Sequence, residues 1–298
     1  MRVAILGCGY VGLELGRQLQ PDHEVVGVRR SAAGLRAVEA AGLKPVEGDL
    51  TEPATLSAVP DVDAVVFAAS SGGRGASAAR EIYVQAQQQA IDHFCERDTT
   101  PDRYYYTSST GVYGDHDGDW VDEETPLDPQ TKKTKVLAEA EQIALERPGN
   151  HGIDGTVVRL GGLYGPDRYR LSRYIEGPVT GGYLNMIHRD DAAGAIGHLL
   201  VEDVARDEVV LAVDDEPVDK WEFADWLAEQ CGVDAPPKQT TAERLANGDL
   251  SDAARRRIET SKRCSNERLR ALGYEFEWPT FRDGYRSAID AYRAGSDA

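Results

Sequence analysis

Short apolar runs alternate with segments of helical periodicity along most of the chain. Runs rich in β-branched and aromatic residues predict buried strands at Arg2–Leu6, Glu24–Val28, 44–50, Val62–Ala69, Arg103–Ser109, Thr156–Leu160 and Glu208–Val213. Apolar residues at turn spacing predict helices at Leu13–Leu19, Ser31–Ala41, Glu81–Arg97, Gln130–Glu146 and Lys220–Cys231. Strands that alternate with helices in this way predict an α/β fold with a doubly wound parallel sheet.

The first predicted strand continues into a G-x-G-x-x-G pattern at residues 7–12. Glycines at these positions permit a tight turn and let backbone amides approach a pyrophosphate at the positive end of the next helix. Two strands and a helix flank the pattern here, which makes it specific. It predicts a Rossmann-type dinucleotide site, and the alternative is a tight turn without a ligand. The predicted cofactor contacts are Gly7, Gly9, Tyr10, Val11 and Gly12.

The regular alternation of strands and helices ends near Gly165, where several glycines and prolines follow. We therefore predict a dinucleotide-binding Rossmann domain at 1–165, to which the region 186–215 returns. Residues 166–298 mainly form a smaller, mixed C-terminal substrate lobe in this prediction. The stretch 70–79, rich in glycine, serine and alanine, predicts a loop.

The chain is strongly acidic and poor in lysine. It has 51 acidic and 33 basic residues, a formal net charge of −18, and seven lysines. Such a charge disfavours nucleic acid and anionic membranes as partners. An acid-rich, lysine-poor surface is typical of proteins adapted to high salt, where self-repulsion is screened. An ordinary acidic cytosolic protein is the alternative.

The four cysteines are scattered, with neither C-x-x-C spacing nor a metal-ligand pattern. They predict reduced thiols in a cytoplasmic protein without a metal site. The opening apolar run is too short for a signal peptide, and no run of 18 apolar residues predicts a spanning helix.

Several short motifs together resemble one family. They are Gly48-Asp49-Leu50, the strand ending Phe67-Ala68-Ala69, the stretch SSTGVYG at 108–114, RLGGLYGP at 159–166, IHRDD at 187–191 and SKR at 261–263. With the glycine turn, they resemble the extended short-chain dehydrogenase/reductases that are grouped as NAD-dependent epimerase/dehydratases. The resemblance covers nearly the whole length. It implies further cofactor contacts at Asp49, Leu50, Ala68, Ala69, Ser70, Lys135 and Leu163.

The resemblance also implies a catalytic group with one departure. In this family a serine or threonine before V-Y-G orients the substrate, which here is Ser109. A tyrosine and a lysine spaced Y-x-x-x-K share one face of the following helix, so the ammonium lowers the pKa of the phenol. Lys135 matches the lysine, but Thr131 stands at the tyrosine position. Either another group, with Tyr113 the nearest candidate, donates the proton, or the chemistry has been lost.

Together with Thr131, a second departure makes the chain resemble an atypical branch of this family, and a third comparison excludes one reaction. The glycine turn lacks the extra residue of the G-x-x-G-x-x-G form that most extended members carry. Nucleotide-sugar 4,6-dehydratases of this family have an Asp-Glu pair after the catalytic threonine, and this chain has Thr110-Gly111 there. The dehydration chemistry would therefore lack its acid and base.

The end of the second strand predicts the cofactor. NAD sites place a carboxylate there for the ribose 2′-hydroxyl, whereas this chain has Arg29, Arg30 and Ser31. Two guanidiniums suit a 2′-phosphate and predict NADP, with NAD as the alternative if they stack on its adenine instead.

Three functions remain open at this point. The first is an NADP(H)-dependent oxidoreductase acting on a small carbonyl, hydroxyl or nucleotide-sugar substrate. The second is a nucleotide-sugar epimerase, and the third is a non-catalytic NADP(H)-sensing protein that lost the active-site tyrosine. The resemblance also implies a homodimer formed through the helices predicted at 81–97 and 130–146.

Overall fold

The computed structural model describes residues 1–72, 75–246, 250, 255 and 258–295. In this part of the chain the strands are β1 Arg2–Leu6, β2 Glu24–Arg29, β3 Lys44–Glu47, β4 Ala64–Phe67, β5 Arg103–Ser109, β6 Trp120–Val121, β7 Asp154–Leu160, β8 Gly162–Tyr164, β9 Val179–Thr180, β10 Tyr183–Leu184, β11 Met186–His188, β12 Val209–Ala212, β13 Val218–Asp219, β14 Lys238–Gln239 and β15 Arg263–Cys264.

The α-helices of the same residues are α1 Tyr10–Leu19, α2 Ala32–Ala40, α3 Ala76–Arg80, α4 Gln87–Cys95, α5 Lys132–Gly149, α6 Leu171–Glu176, α7 Arg189–Val201, α8 Lys220–Cys231, α9 Thr241–Ala246, α10 Glu267–Ala271, α11 Phe281–Gly284 and α12 Arg286–Arg293. Pro53–Ala58 and Thr110–Tyr113 form 3₁₀ turns, and a π-helical turn at Glu81–Ala86 joins α3 to α4.

A seven-stranded parallel sheet forms the centre of the molecule, in the order β12-β7-β5-β4-β1-β2-β3. Its inner strands are apolar on both faces because helices cover both. One layer contains α1 and α7, and the other contains α4 and α5. The predicted doubly wound α/β fold of Rossmann type is confirmed.

A third, separate apolar cluster forms beyond the sheet. It joins α6, α8, α11 and α12 around the buried rings of Phe223, Phe281 and Tyr285. Tyr164 in β8 stacks on Tyr285, with ring centroids 4.9 Å apart, and so connects this cluster to the sheet side. The small two-stranded pairs β10–β13 and β9–β14 lie in the same half of the chain.

The prediction of a loop at 70–79 is wrong in its second half, since Ala76–Arg80 is helical. Alanines at 76, 78 and 79 favour a helix, and its core contact is Ala79, which is fully buried. Residues 73 and 74 lie outside the described residues.

The strand β11 and the helix α7 were not among the predicted elements. Glycines and alanines in α7 weaken its apolar periodicity, because it packs closely along α1 rather than facing water.

A buried ion pair links α5 to β7. Arg159 and Glu141 have side chains only 5% and 3% exposed, and two of the guanidinium nitrogens donate to the carboxylate at 2.8–3.2 Å. Ser108 donates to the same carboxylate at 2.5 Å, and Arg159 also donates to the Tyr113 hydroxyl at 2.6 Å. The network satisfies charges that would otherwise be costly inside the sheet layer.

Candidate functional site

A cavity of about 2040 Å³ opens above the carboxyl ends of the central strands. Residues that end β1, β2, β4, β5 and β7 contribute to its wall. In open parallel sheets this is where ligands bind, next to the point at which the strand order reverses. Here the reversal falls between β1 and β4, and the glycine turn lies directly beside it.

The glycine turn lines the cavity and comes very close to the end of β4. Gly7 adopts φ +74°, and a β-carbon there would lie 2.4 Å from the Ala69 Cα. No side chain caps the N-terminus of α1, whose preceding residue is Gly9. The first amides of α1 are therefore open to an anionic ligand. Gly12 lies beneath the turn, where a β-carbon would come within 2.9 Å of Ile5, so its smallness serves packing of the helix on the sheet.

Most of the predicted cofactor contacts line the cavity. Those that line the cavity are Gly7, Gly9, Tyr10, Val11, Arg29, Arg30, Asp49, Leu50, Ala68, Ala69, Ser70 and Leu163. Gly12 and Lys135 are not on the cavity wall. For all fourteen residues, the assignment as cofactor contacts stays a prediction.

The two arginines after β2 have different surroundings. Arg29 folds over the glycine turn and donates to the Cys8 carbonyl at 3.2 Å. The Arg30 side chain is 70% exposed, and its guanidinium lies 3.6 Å from a carboxylate oxygen of Asp49. Hydrogen bonds from Thr51, and then the nearby Arg30, hold the pKa of Asp49 below its usual value. Arg30 is therefore the freer of the two arginines to meet a ligand.

Ser109 lines the cavity, as predicted, at the end of β5. Its hydroxyl oxygen also accepts a hydrogen bond from the Gly111 amide at 3.2 Å, which caps the following 3₁₀ turn. The turn thus fixes the direction of the hydroxyl. Its predicted role in orienting a substrate stays a prediction.

The structure does not bring Tyr113 to the cavity. Its ring is fully buried, and its hydroxyl donates to the Asp122 carbonyl at 2.6 Å while accepting from Arg159. Burial raises the pKa of this phenol well above its usual value. The group is therefore occupied in the core and is poorly placed to supply a proton to a bound substrate.

Thr131 and Lys135 are also absent from the cavity wall. Helix α5 begins at Lys132 because Thr131 caps it: the Thr131 hydroxyl accepts from the Thr134 amide at 3.1 Å, and the Thr134 hydroxyl accepts from the Thr131 amide at 2.9 Å. Lys135 is exposed on the outside of the helix. The residues of α5 that face the cavity are Lys133, Thr134 and Leu137. Thr131 and Lys135 therefore lie off the cavity wall on which the resemblance placed them, and their catalytic roles stay predictions.

Sequence reasoning missed a group of cations on the part of the cavity wall that residues 168–262 contribute, which we call the cationic half. These residues are Arg168, Arg170, Arg173, Lys220, Arg244 and Lys262. Within the described part of the chain, no carboxylate lies at ion-pair distance from any of them. Two local signals could have found four of them: the arginines at 168, 170 and 173 stand within six residues, and the SKR motif contains Lys262. Lys220 and Arg244 come from two separate helices.

Two lysines of this group are held by backbone carbonyls. Lys262 is only 6% exposed, and its ammonium donates to the Gly114 carbonyl at 3.1 Å. Lys220 donates to the Gly181 carbonyl at 3.3 Å. Burial lowers the pKa of both ammonium groups. A bound anion would compensate for this loss of hydration.

The described residues contain neither a cluster of metal ligands nor a membrane-spanning helix. No group of three or more His, Cys, Asp or Glu side chains is arranged to hold a metal ion there. The helices of that part of the chain include none with the length and apolar character needed to cross a membrane.

The sheet, the glycine turn and the cavity above the strand ends define a Rossmann-type nucleotide-cofactor-binding protein. The model of the NAD dependent epimerase/dehydratase family matches residues 3–206, and the chain belongs to this family. The expected family is thereby confirmed.

Similar proteins span nearly the whole chain. Protein YeeZ of Escherichia coli K12 is 29% identical over 287 residues, which cover 93% of this chain and 96% of YeeZ. A conserved protein of unknown function from Silicibacter pomeroyi DSS has a solved structure with 28% identity and a TM-score of 0.76, covering 100% of this chain and 99% of its own. A double mutant of the dTDP-glucose 4,6-dehydratase DesIV of Streptomyces venezuelae, solved with NAD and DAU bound, shares the fold at 23% identity and a TM-score of 0.79. The match covers 98% of this chain and 97% of that one.

Proposed function

We propose that this protein is an NADP(H)-dependent oxidoreductase whose substrate carries a phosphate or diphosphate group, as nucleotide sugars do. The observation that carries the proposal is the composition of the cavity. The glycine turn and the strand ends form one part of its wall, and the cationic half adds six cations that have no carboxylate at ion-pair distance among the described residues. Such a concentration is unexpected in a chain of net charge −18 unless it serves a ligand.

The groups that line the cavity support the proposed binding of a dinucleotide and a phosphorylated substrate. The positive end of α1 suits the pyrophosphate of a dinucleotide. Ser109 and Lys133 line the same cavity. We propose that Lys133, rather than Lys135, is the ammonium that contacts the bound cofactor or substrate. The bound nicotinamide would supply hydride chemistry, while Ser109 would orient the reacting carbonyl or hydroxyl.

Cofactor choice gives the first test. Titration by fluorescence is expected to show NADPH binding more tightly than NADH by about ten- to a hundredfold, since one charge-assisted hydrogen bond contributes about 1.5–3 kcal/mol. Replacing Arg30, the more exposed arginine at the end of β2, by alanine should remove most of that preference by weakening NADPH alone.

The matched control is Arg36→Ala, which removes an exposed arginine of α2 that does not line the cavity. This variant should keep the wild-type ratio of affinities. Equal affinities of the unmodified protein for NADPH and NADH would count against NADP, and a preference that survives Arg30→Ala would assign the selectivity to Arg29.

Two other functions each have an observation in their favour. The cationic half of the cavity suits a nucleotide-sugar epimerase equally well, and an epimerase is expected to retain its cofactor through purification. The absence of Thr131 and Lys135 from the cavity wall favours a non-catalytic NADP(H) sensor. The absorbance of the purified protein, before and after denaturation, separates the epimerase from the other two.

We propose further that the protein works in a cytoplasm of high salt. Repulsion among 51 carboxylic acids should destabilise the fold at low ionic strength. The Debye length falls from about 10 Å at 0.1 M to about 3 Å at 1 M, which screens that repulsion. The melting temperature is therefore expected to rise markedly between 0.1 M and 2 M KCl. A flat or falling profile would contradict salt adaptation.

A further inference from the structure

Tyr10 lies in the glycine turn, but its side chain reaches the other half of the cavity. The residue begins α1, directly after Gly9. Its hydroxyl donates to the Pro166 carbonyl at 2.8 Å. Burial raises the pKa of the phenol to about 12, so the group stays a donor at neutral pH. The contact joins two segments that are far apart in sequence.

The segment that Tyr10 contacts, residues 165–170, has an unusual backbone. Gly165, Asp167 and Arg170 all have positive φ, at 132°, 66° and 53°. The last two values lie in a region that residues with side chains rarely adopt. Contacts with the rest of the protein therefore hold the segment in this conformation. The hydrogen bond from the Tyr10 hydroxyl to the Pro166 carbonyl is one of these contacts.

Two guanidiniums approach the Tyr10 ring, and they differ in their partners. Arg189 lies 5.5 Å from the ring centroid and forms ion pairs with Glu14 and Asp190. Arg168 lies closer, at 4.1 Å, and lines the cavity. No carboxylate of the described residues is at ion-pair distance from it. The ring thus holds a guanidinium whose charge is still available to a ligand.

We propose that Tyr10 is a positioning residue for the substrate anion, acting through Arg168. Its backbone belongs to the cofactor turn, while its ring and hydroxyl set the position of the segment that presents Arg168 to the cavity. This inference rests on the proposed function, because it assumes that the cationic half of the cavity binds an anion. It adds that a residue of the dinucleotide motif determines how tightly that anion binds.

A double-mutant cycle on the full-length protein tests the proposal. The probe is inorganic pyrophosphate, titrated by calorimetry in saturating NADPH so that the turn at α1 is already filled. Arg168→Met should weaken pyrophosphate binding by about ten- to a hundredfold, the effect of losing one hydrogen bond from a charged donor. Tyr10→Leu should weaken it by about five- to thirtyfold, the range of a partly buried cation–π contact. If Tyr10 acts through Arg168, the double variant should bind no more weakly than Arg168→Met alone.

Tyr10→Phe provides the second variant, since it keeps the ring and removes only the bond to Pro166. It should weaken pyrophosphate binding by about threefold, in line with loss of one neutral hydrogen bond, and should have no effect in the Arg168→Met background. If Tyr10→Leu fails to fold, the cycle of Tyr10→Phe with Arg168→Met still tests whether Tyr10 acts through Arg168. Tyr292→Phe, which removes a hydroxyl from α12 outside the cavity, is the matched control and should leave the affinity unchanged.

The outcomes separate this inference from the function on which it rests. Additive effects of the Tyr10 and Arg168 changes, or wild-type affinity in both Tyr10 variants, would overturn the positioning role while leaving the anion site in place. Absence of pyrophosphate binding by the unmodified, NADPH-saturated protein would overturn both.

Discussion

Replacing Glu141 by glutamine is expected to lower the free energy of unfolding by about 3–5 kcal/mol, the usual cost of removing one partner of a buried ion pair. The change would leave the Arg159 guanidinium charged and nearly inaccessible to water, at 5% side-chain exposure. It would also weaken the acceptor for Ser108. Urea denaturation at constant pH, monitored by circular dichroism, measures the loss.

Glu139→Gln is the matched control, because it makes the same change two residues away on the same helix. Glu139 pairs with Arg80, but both side chains are well exposed, at 40% and 47%. Exposed pairs contribute about 0–1 kcal/mol, so this variant should be nearly as stable as the wild type. The double variant Glu141→Gln with Arg159→Met should recover part of the loss, since it removes the unpaired charge. Equal losses in the two single variants would contradict the importance of burial here.

Replacing Lys133 by methionine is expected to weaken NADPH binding by about ten- to a hundredfold, the effect of losing one hydrogen bond from a charged donor. We expect this loss because Lys133 lies on the cavity side of α5, beside Thr134 and Leu137. Fluorescence titration of the reduced cofactor measures the change, and methionine keeps the length and apolar stem of the side chain.

Lys135→Met is the control that the helix itself offers. It removes the same charge two residues further along, from a side chain that is exposed and does not line the cavity. Binding should remain within about twofold of the wild type, as expected for a surface charge largely screened by salt. The reverse result, a loss in Lys135→Met and none in Lys133→Met, would restore the family lysine to Lys135.

The first part of the fold was predictable because its signals are local. The unit β1, glycine turn, α1 and β2 follows from contiguous residues, and the predicted bounds of Arg103–Ser109 and Lys220–Cys231 match those of β5 and α8. Apolar runs that are buried on both faces leave little ambiguity about strands in a parallel sheet. Helix α7 was missed since its buried surface consists largely of small residues, whose periodicity is weak.

The site was less predictable, because a motif fixes the order of residues but not which face of a helix packs on the sheet. The Y-x-x-x-K spacing puts Thr131 and Lys135 one turn apart, but Thr131 caps the helix and Lys135 is exposed. The packing of α5 on the sheet instead turns Lys133, Thr134 and Leu137 to the cavity. The cationic half was not predicted for a different reason. Arg168 and Lys262 are far apart in sequence, and only the tertiary fold brings both to one cavity.

The strand order has a consequence for how the chain can be divided. Strand β12 pairs with β7 at the sheet edge, although β8, α6 and α7 intervene in sequence. Helix α7 also covers α1. The two helices pack closely, since a β-carbon added at Gly197 of α7 would lie 3.5 Å from the Leu15 side chain of α1. A fragment that stops at residue 165 would retain the whole glycine turn, yet it would expose β7 as an unpaired edge and leave α1 uncovered. Open strand edges of this kind pair with other chains, so such a fragment is expected to aggregate during expression.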